Sequence, residues 1–142
     1  MTMQIKYLAR KHTKDILREG LPDLVGNTPL LPLNKIGSNL PQRVKLSAKA
    51  EWFNPSGSVK DRPALNIILS ALESGKLSGG KHLLDSTSGN MGIAYATFGA
   101  ALDIPVTLVL PENASTERIK ILRALGAELI LTDPLEGTDG AI

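Results

Sequence analysis

The chain has 142 residues, 42% hydrophobic and 21% charged, with a formal net charge of +2 and no cysteine. That length supports one domain with a modest core, and the composition argues against disorder. The missing cysteines exclude disulfides, thiolate nucleophiles and cysteine-ligated zinc, and the scattered basic residues form no patch for nucleic acid or an acidic membrane.

No apolar run is long enough to span a bilayer. Residues 4–19 mix Ile5, Leu8, Ile16 and Leu17 with many charges, which suggests an arm or a marginal helix ending near Gly20. This start lacks the continuous apolar stretch of a secretory leader. Asp15, Glu19 and the absence of serine argue against an organelle-targeting peptide, so the cytoplasm is the expected location. Gly26-Asn27-Thr28-Pro29 then reads as a turn, with Leu30, Leu31 and Leu33 opening a short extended piece. Residues 34–42 are a loop by composition.

Val44, Leu46, Ala48 and Ala50 alternate with Lys45, Ser47 and Lys49, the period of a strand with one polar face. Trp52 and Phe53 follow and are expected to pack beneath the next loop. Asn54-Pro55-Ser56-Gly57 is turn chemistry, and Asp61-Arg62-Pro63 starts a helix. Ala64, Ile67, Ile68, Ala71 and Leu72 form its stripe, and Gly75 stops it.

Leu83-Leu84 reads as a short buried strand, and residues 91–102 as a helix rich in small residues that can lie close to a sheet. Val106–Leu110 is a continuous apolar strand with the signature of a central parallel position. Asn113 or Ser115 caps a helix that runs to Leu125 with Gly126 as its stop, Leu129–Leu131 is a further buried strand, and Gly137–Ile142 approaches another helix. The alternation of strand and helix from residue 44 onward predicts an α/β fold, a three-layer parallel sheet with flanking helices. Residues 1–43 form the arm and extended segment, and residues 44–142 the small α/β domain.

Two irregular stretches lie at strand-to-helix junctions, where open parallel sheets bind ligands. The first holds Lys60 at a helix start. A lone lysine there is ordinarily a solvated charge. Here the helix dipole disfavours its ammonium form, and burial would do so further, which favours the neutral amine of Schiff-base chemistry. The second is Asp85-Ser86-Thr87-Ser88-Gly89-Asn90-Met91-Gly92. Thr87 and Ser88 bring hydroxyls, Gly89 a close backbone approach and Asn90 an amide. The helix start adds free N–H groups, a set suited to a carboxylate or a phosphate or, equally, to an ordinary helix cap. His12 and His82 have no partner at metal-ligand spacing, so no metal site is expected. No GxGxxG, Walker A or nucleophile-elbow pattern occurs.

Gly26-Asn27-Thr28-Pro29-Leu30, Lys49 through Arg62 and Ser86 through Gly92 together resemble the cysteine synthase and cystathionine β-synthase family, fold-type II enzymes that use pyridoxal 5′-phosphate (PLP). The likeness runs from about Leu24 to the end, and Pro111–Glu128 resembles the family's next strand–helix–strand unit. It implies that Lys60 is the catalytic, Schiff-base lysine and moves the substrate's α-proton. Asn90 would bind the cofactor's 3′-oxygen, and Thr87, Ser88, Gly89, Asn90 and Met91 the amino-acid carboxylate. The implied reaction replaces the β-substituent of an activated L-serine (O-acetylserine or O-phosphoserine) with a sulfur nucleophile by way of an aminoacrylate. In family terms the nucleophile is sulfide, a thiocarboxylated carrier protein or a thiol amino acid. Many members have threonine where Met91 stands, which would leave that contact to the backbone N–H. Family enzymes are about twice as long. The resemblance therefore implies an N-terminal part, without the glycine-rich loop for the PLP phosphate, inactive alone and homodimeric when complete. A non-catalytic module that binds amino acids or a partner chain, a related β-synthase that makes cystathionine, and a serine/threonine dehydratase half are the alternative expectations.

Overall fold

The computed structural model describes residues 20–135, so the expectations for residues 4–19 and 137–142 lie outside the described residues. A 3-10 turn at Leu21–Leu24 leads to β1 (Leu30–Pro32), then β2 (Ser47–Lys49) and a second 3-10 turn at Glu51–Phe53. Three helices alternate with three further strands: α1 (Asp61–Glu73), β3 (Leu83–Ser86), α2 (Asn90–Leu102), β4 (Val106–Pro111), α3 (Thr116–Ala124) and β5 (Glu128–Thr132).

Strands β3, β4 and β5 form a parallel sheet with β4 in the centre. Val106, Leu108 and Leu110 project to one face of β4 and are buried there. Helix α2 lies against that face at close range. A Cβ at Gly99 would stand 2.4 Å from Val106 Cγ2, and one at Gly92 would stand 3.3 Å from Leu108 Cδ1. Helix α2 is buried almost all round, because α1 and α3 pack on its two flanks. Phe98, Ile68, Leu108, Leu110 and Leu122 are the largest fully buried apolar side chains of this core.

The helix boundaries follow their local chemistry. Ser115 caps α3, accepting from the Arg118 N–H. Gly126, at φ 80°, turns the chain out of α3 into β5. The buried stripe of α1 is Asp61, Ala64, Leu65 and Ile68. It is rotated from the expected stripe, so Ile67 is 44% exposed and Leu65 takes its place.

Three expectations are corrected. The period-2 strand does not open the parallel sheet. Only Ser47–Lys49 is extended, and it pairs antiparallel with β1 in a separate two-stranded ladder (Leu30 with Lys49, Pro32 with Ser47). Leu84, Ile130 and Leu131 are 66%, 47% and 40% exposed, because β3 and β5 are edge strands. Leu84 and Ile130 also share the sheet face that no helix among the described residues covers. Those residues thus supply the sheet and one helical layer of the three-layer arrangement. Trp52 and Phe53 do not pack beneath the loop. They stand 58% and 60% exposed, their ring centroids 6.0 Å apart.

Candidate active site

Helix α2 joins two parallel neighbours and so runs opposite to them. Helix α1 packs along α2 and returns to β3 through the turn around Gly75–Gly80. This topology directs the first turns of both helices toward the carboxyl edge of the sheet. Lys60 is the N-cap residue of α1, in αR conformation, with its backbone N–H donating to Ser58 Oγ at 3.2 Å. Its side chain is exposed, so burial plays no part in its chemistry among the described residues.

The loop ahead of Lys60 is held from inside. Asp61 is fully buried, and its carboxylate accepts the Ser56 N–H at 2.7 Å and the Ser56 hydroxyl. Asn54 is 3% exposed. Its Oδ1 accepts the Gly26 N–H at 2.9 Å, and its Nδ2 donates to the Glu51 carbonyl at 2.7 Å and to Glu51 Oε2 at 2.8 Å. Arg62, at the other end of the loop, grips the same carboxylate in two-point fashion, Nε to Oε2 at 2.9 Å and Nη2 to Oε1 at 3.0 Å. The Arg62 guanidinium, with help from Asn54 and Thr28, holds the Glu51 carboxyl down at about 2. The Glu51 carboxylate raises Arg62 in turn.

At the second loop the Thr87 N–H continues the parallel ladder by donating to the Val109 carbonyl at 3.1 Å. Thr87 Oγ1 accepts the Gly89 N–H at 3.3 Å. Gly89 is the N-cap of α2 and supplies no side-chain cap. The N–H groups of Asn90 and Met91 have no partner among the described residues, whereas Gly92 donates to the Gly89 carbonyl. Thr87, Ser88, Gly89 and Met91 are half-buried and Asn90 is exposed. The turn therefore offers two backbone donors, two hydroxyls and one amide to an anion, at the positive end of a 13-residue helix.

No hydrogen bond links the two loops among the described residues. Clefts of about 250 Å³ near Gly99 and Gly126 and of about 440 Å³ near Leu33 and Ser47 include neither loop. His82 lies apart from both. Its Nδ1 meets Thr107 Oγ1 at 3.2 Å, and Thr107 donates to Glu128 at 3.0 Å. Sequence reasoning assigned nothing to Thr28, Glu51 or Arg62 individually. The pairing of 51 with 62 depends on the fold of the intervening loop and has no local periodicity to betray it.

An exposed lysine at one helix start could serve a carbonyl compound, and an uncapped, hydroxyl-rich start of the neighbouring helix could hold an anion. The exposed amine fits the aldehyde of PLP, and the donors of the turn fit the carboxylate of an amino acid brought to it. The model for the family described as pyridoxal-phosphate dependent enzyme matches residues 21–141, and this chain belongs to that family. It is 57% identical over 126 residues to a cysteine synthase of Aquifex aeolicus (strain VF5), an alignment covering 88% of this chain and 38% of the relative. A solved cysteine synthase of Entamoeba histolytica superposes with a TM-score of 0.84 at 37% identity, over 93% of this chain and 38% of that one. An O-acetylserine dependent cystathionine β-synthase from Helicobacter pylori gives 0.75 at 37% identity, over 85% of this chain and 40% of that one. The chain thus spans about two fifths of the length of these relatives.

Proposed function

We propose that the whole protein replaces the β-substituent of an activated L-serine, O-acetylserine or O-phosphoserine, with a sulfur nucleophile, making cysteine. In this reading the chain contributes the reactive lysine and the substrate-carboxylate turn. The reading draws most support from the two helix starts at one sheet edge, one presenting an amine and the other free N–H groups. The likeness to cysteine synthases supports it independently.

Bound PLP supplies an electron sink for the pair left on the α-carbon. Lys60 would hold the cofactor through its Nζ and, once released by the incoming amino acid, take the α-proton on that same nitrogen. The Asn90 amide would hold the cofactor's 3′-oxygen. The N–H groups of Asn90 and Met91, with the Thr87 and Ser88 hydroxyls, would bind and orient the substrate carboxylate. Gly89 leaves room for that approach. With methionine at position 91, the contact there falls to the backbone, and the free Met91 N–H suits that role. Homodimeric assembly of the whole protein belongs to the same reading.

A chimera tests it, with this chain replacing the matching segment of the Aquifex aeolicus cysteine synthase. The expected result is sulfide-dependent cysteine formation from O-acetylserine or O-phosphoserine, lost in Lys60→Ala. Release of pyruvate without cysteine would instead assign a dehydratase. No turnover in a folded, PLP-loaded chimera would overturn the proposal.

A further inference from the structure

Two stretches singled out in the sequence, Gly26–Leu30 and Lys49–Phe53, have no task in the reaction proposed above. We propose that they brace the lysine loop: Thr28, Glu51, Asn54 and Arg62 form a positioning cluster that clamps both ends of the loop and so sets the aim of the Lys60 amine. The inference deepens, and rests on, the reading of Lys60 as the Schiff-base lysine.

The Glu51 carboxylate is the hub. Both lone-pair directions of each oxygen are engaged. Oε1 accepts from Arg62 Nη2 at 3.0 Å and from the Thr28 hydroxyl at 3.0 Å, and Oε2 accepts from Arg62 Nε at 2.9 Å and from Asn54 Nδ2 at 2.8 Å. Thr28 is 6% exposed, and its hydroxyl also accepts from the Lys49 ammonium and from Arg62 Nη2 at 3.3 Å. The cluster therefore ties four separate points of the chain together: the Gly26–Thr28 turn, the end of β2, the start of the lysine loop and the first turn of α1.

Its reach explains a glycine. At φ 90° Gly26 bends the chain so that its N–H meets Asn54, and a Cβ there would stand 2.9 Å from Arg62 Nη1. Residues 55–61 are thereby strung between two clamped residues, Asn54 and Arg62. Asp61 pins Ser56 from beneath, and the exposed residues Gly57, Val59 and Lys60 are presented outward. A two-point Arg–carboxylate pair sets direction as well as distance, which a lysine at 62 cannot reproduce. A displacement of about 1 Å is enough to cost a reacting group much of its effectiveness.

The test uses the chimera described above, unsubstituted and with E51Q, R62K, T28V or T28S in the segment from this chain. Amide hydrogen exchange reports the loop. Incubation with PLP, borohydride reduction and peptide mass mapping report the share of label at Lys60 against exposed Lys35, Lys45 and Lys76. In E51Q, R62K and T28V the Ser56 and Gly57 amides should exchange about tenfold faster and the Lys60 share should fall about tenfold, with α2 and β4 amides still slow. T28S, which keeps the hydroxyl, should hold both readouts near those of the unsubstituted chimera. Should E51Q lose the slow exchange of α2 as well, R62K and T28V decide, since both keep the carboxylate. Unchanged exchange and labelling overturn the brace. So does a cluster that lowers the unfolding midpoint while leaving the Lys60 share intact. If Lys60 in the unsubstituted chimera takes no more label than Lys76, the Schiff-base reading fails, and the role assigned to the brace with it. Faster Ser56 and Gly57 exchange in E51Q would still mark that failure as distinct from failure of the clamp.

Discussion

Replacing Asn54 with alanine should do more damage than any other single change in the lysine loop. The amide is 3% exposed and joins Gly26, 28 residues earlier, to the Glu51 carbonyl. A net hydrogen bond contributes about 1 kcal/mol, and leaving a buried partner unpaired costs about 1–3 kcal/mol. Losing the Gly26 and Glu51 backbone bonds together should therefore destabilise the fold by about 2–4 kcal/mol. With a urea m-value of about 2 kcal/mol/M, the denaturation midpoint should fall by about 1–2 M. Asn54→Asp separates geometry from volume. It keeps the acceptor for Gly26 but cannot donate to Glu51, and it sets a second carboxylate beside the first. Its midpoint should recover as the pH falls from 7 toward 5, whereas that of Asn54→Ala should not. A midpoint for Asn54→Ala within about 0.3 M of the unsubstituted chain would refute the reasoning.

Further outcomes follow from other parts of the structure. Because the folded Glu51 carboxyl titrates at about 2 rather than near 4.5, its contribution is complete above that ordinary value and is lost as the pH falls toward 2. E51Q should flatten the acid branch of a stability–pH profile across that interval, as followed by circular dichroism. Gly99→Ala forces a Cβ to within 2.4 Å of Val106 Cγ2 and 2.9 Å of the Ile104 carbonyl oxygen. Overpacking of this kind costs about 1–3 kcal/mol and outweighs the helix preference for alanine, with Val106→Ala restoring part of the loss in urea melts. Leu84→Glu, on the open face of β3, should change the stability of this chain by no more than about 0.5 kcal/mol despite its place in an apolar run.

Much of the architecture was legible because its signals are local. The continuous apolar run from Val106 to Leu110 marks a central parallel strand, and Gly75 and Gly126 stop helices through their positive φ. Ser115 caps, and Asp61 opens α1, through hydrogen bonds within a few residues. Partner choice is not local. The alternation from Val44 to Ala50 describes a strand with two different faces and says nothing about which strand it joins, so its pairing with Leu30–Pro32 lay beyond reach. A Leu-Leu or Leu-Ile-Leu run likewise reads the same in an edge strand as in a central one, which is why Leu84 and Ile130 were expected inside. At the site, residue types and order were readable as a resemblance. The network joining Thr28, Glu51, Asn54 and Arg62 was not, because its members meet only after the loop has folded.

The central claim concerns the amine of Lys60. The whole protein, loaded with PLP, reduced with borohydride and digested, should yield one dominant modified peptide, carrying the cofactor on Lys60. A dominant label on Lys45, Lys49 or Lys76, or none on a folded protein, would contradict the account.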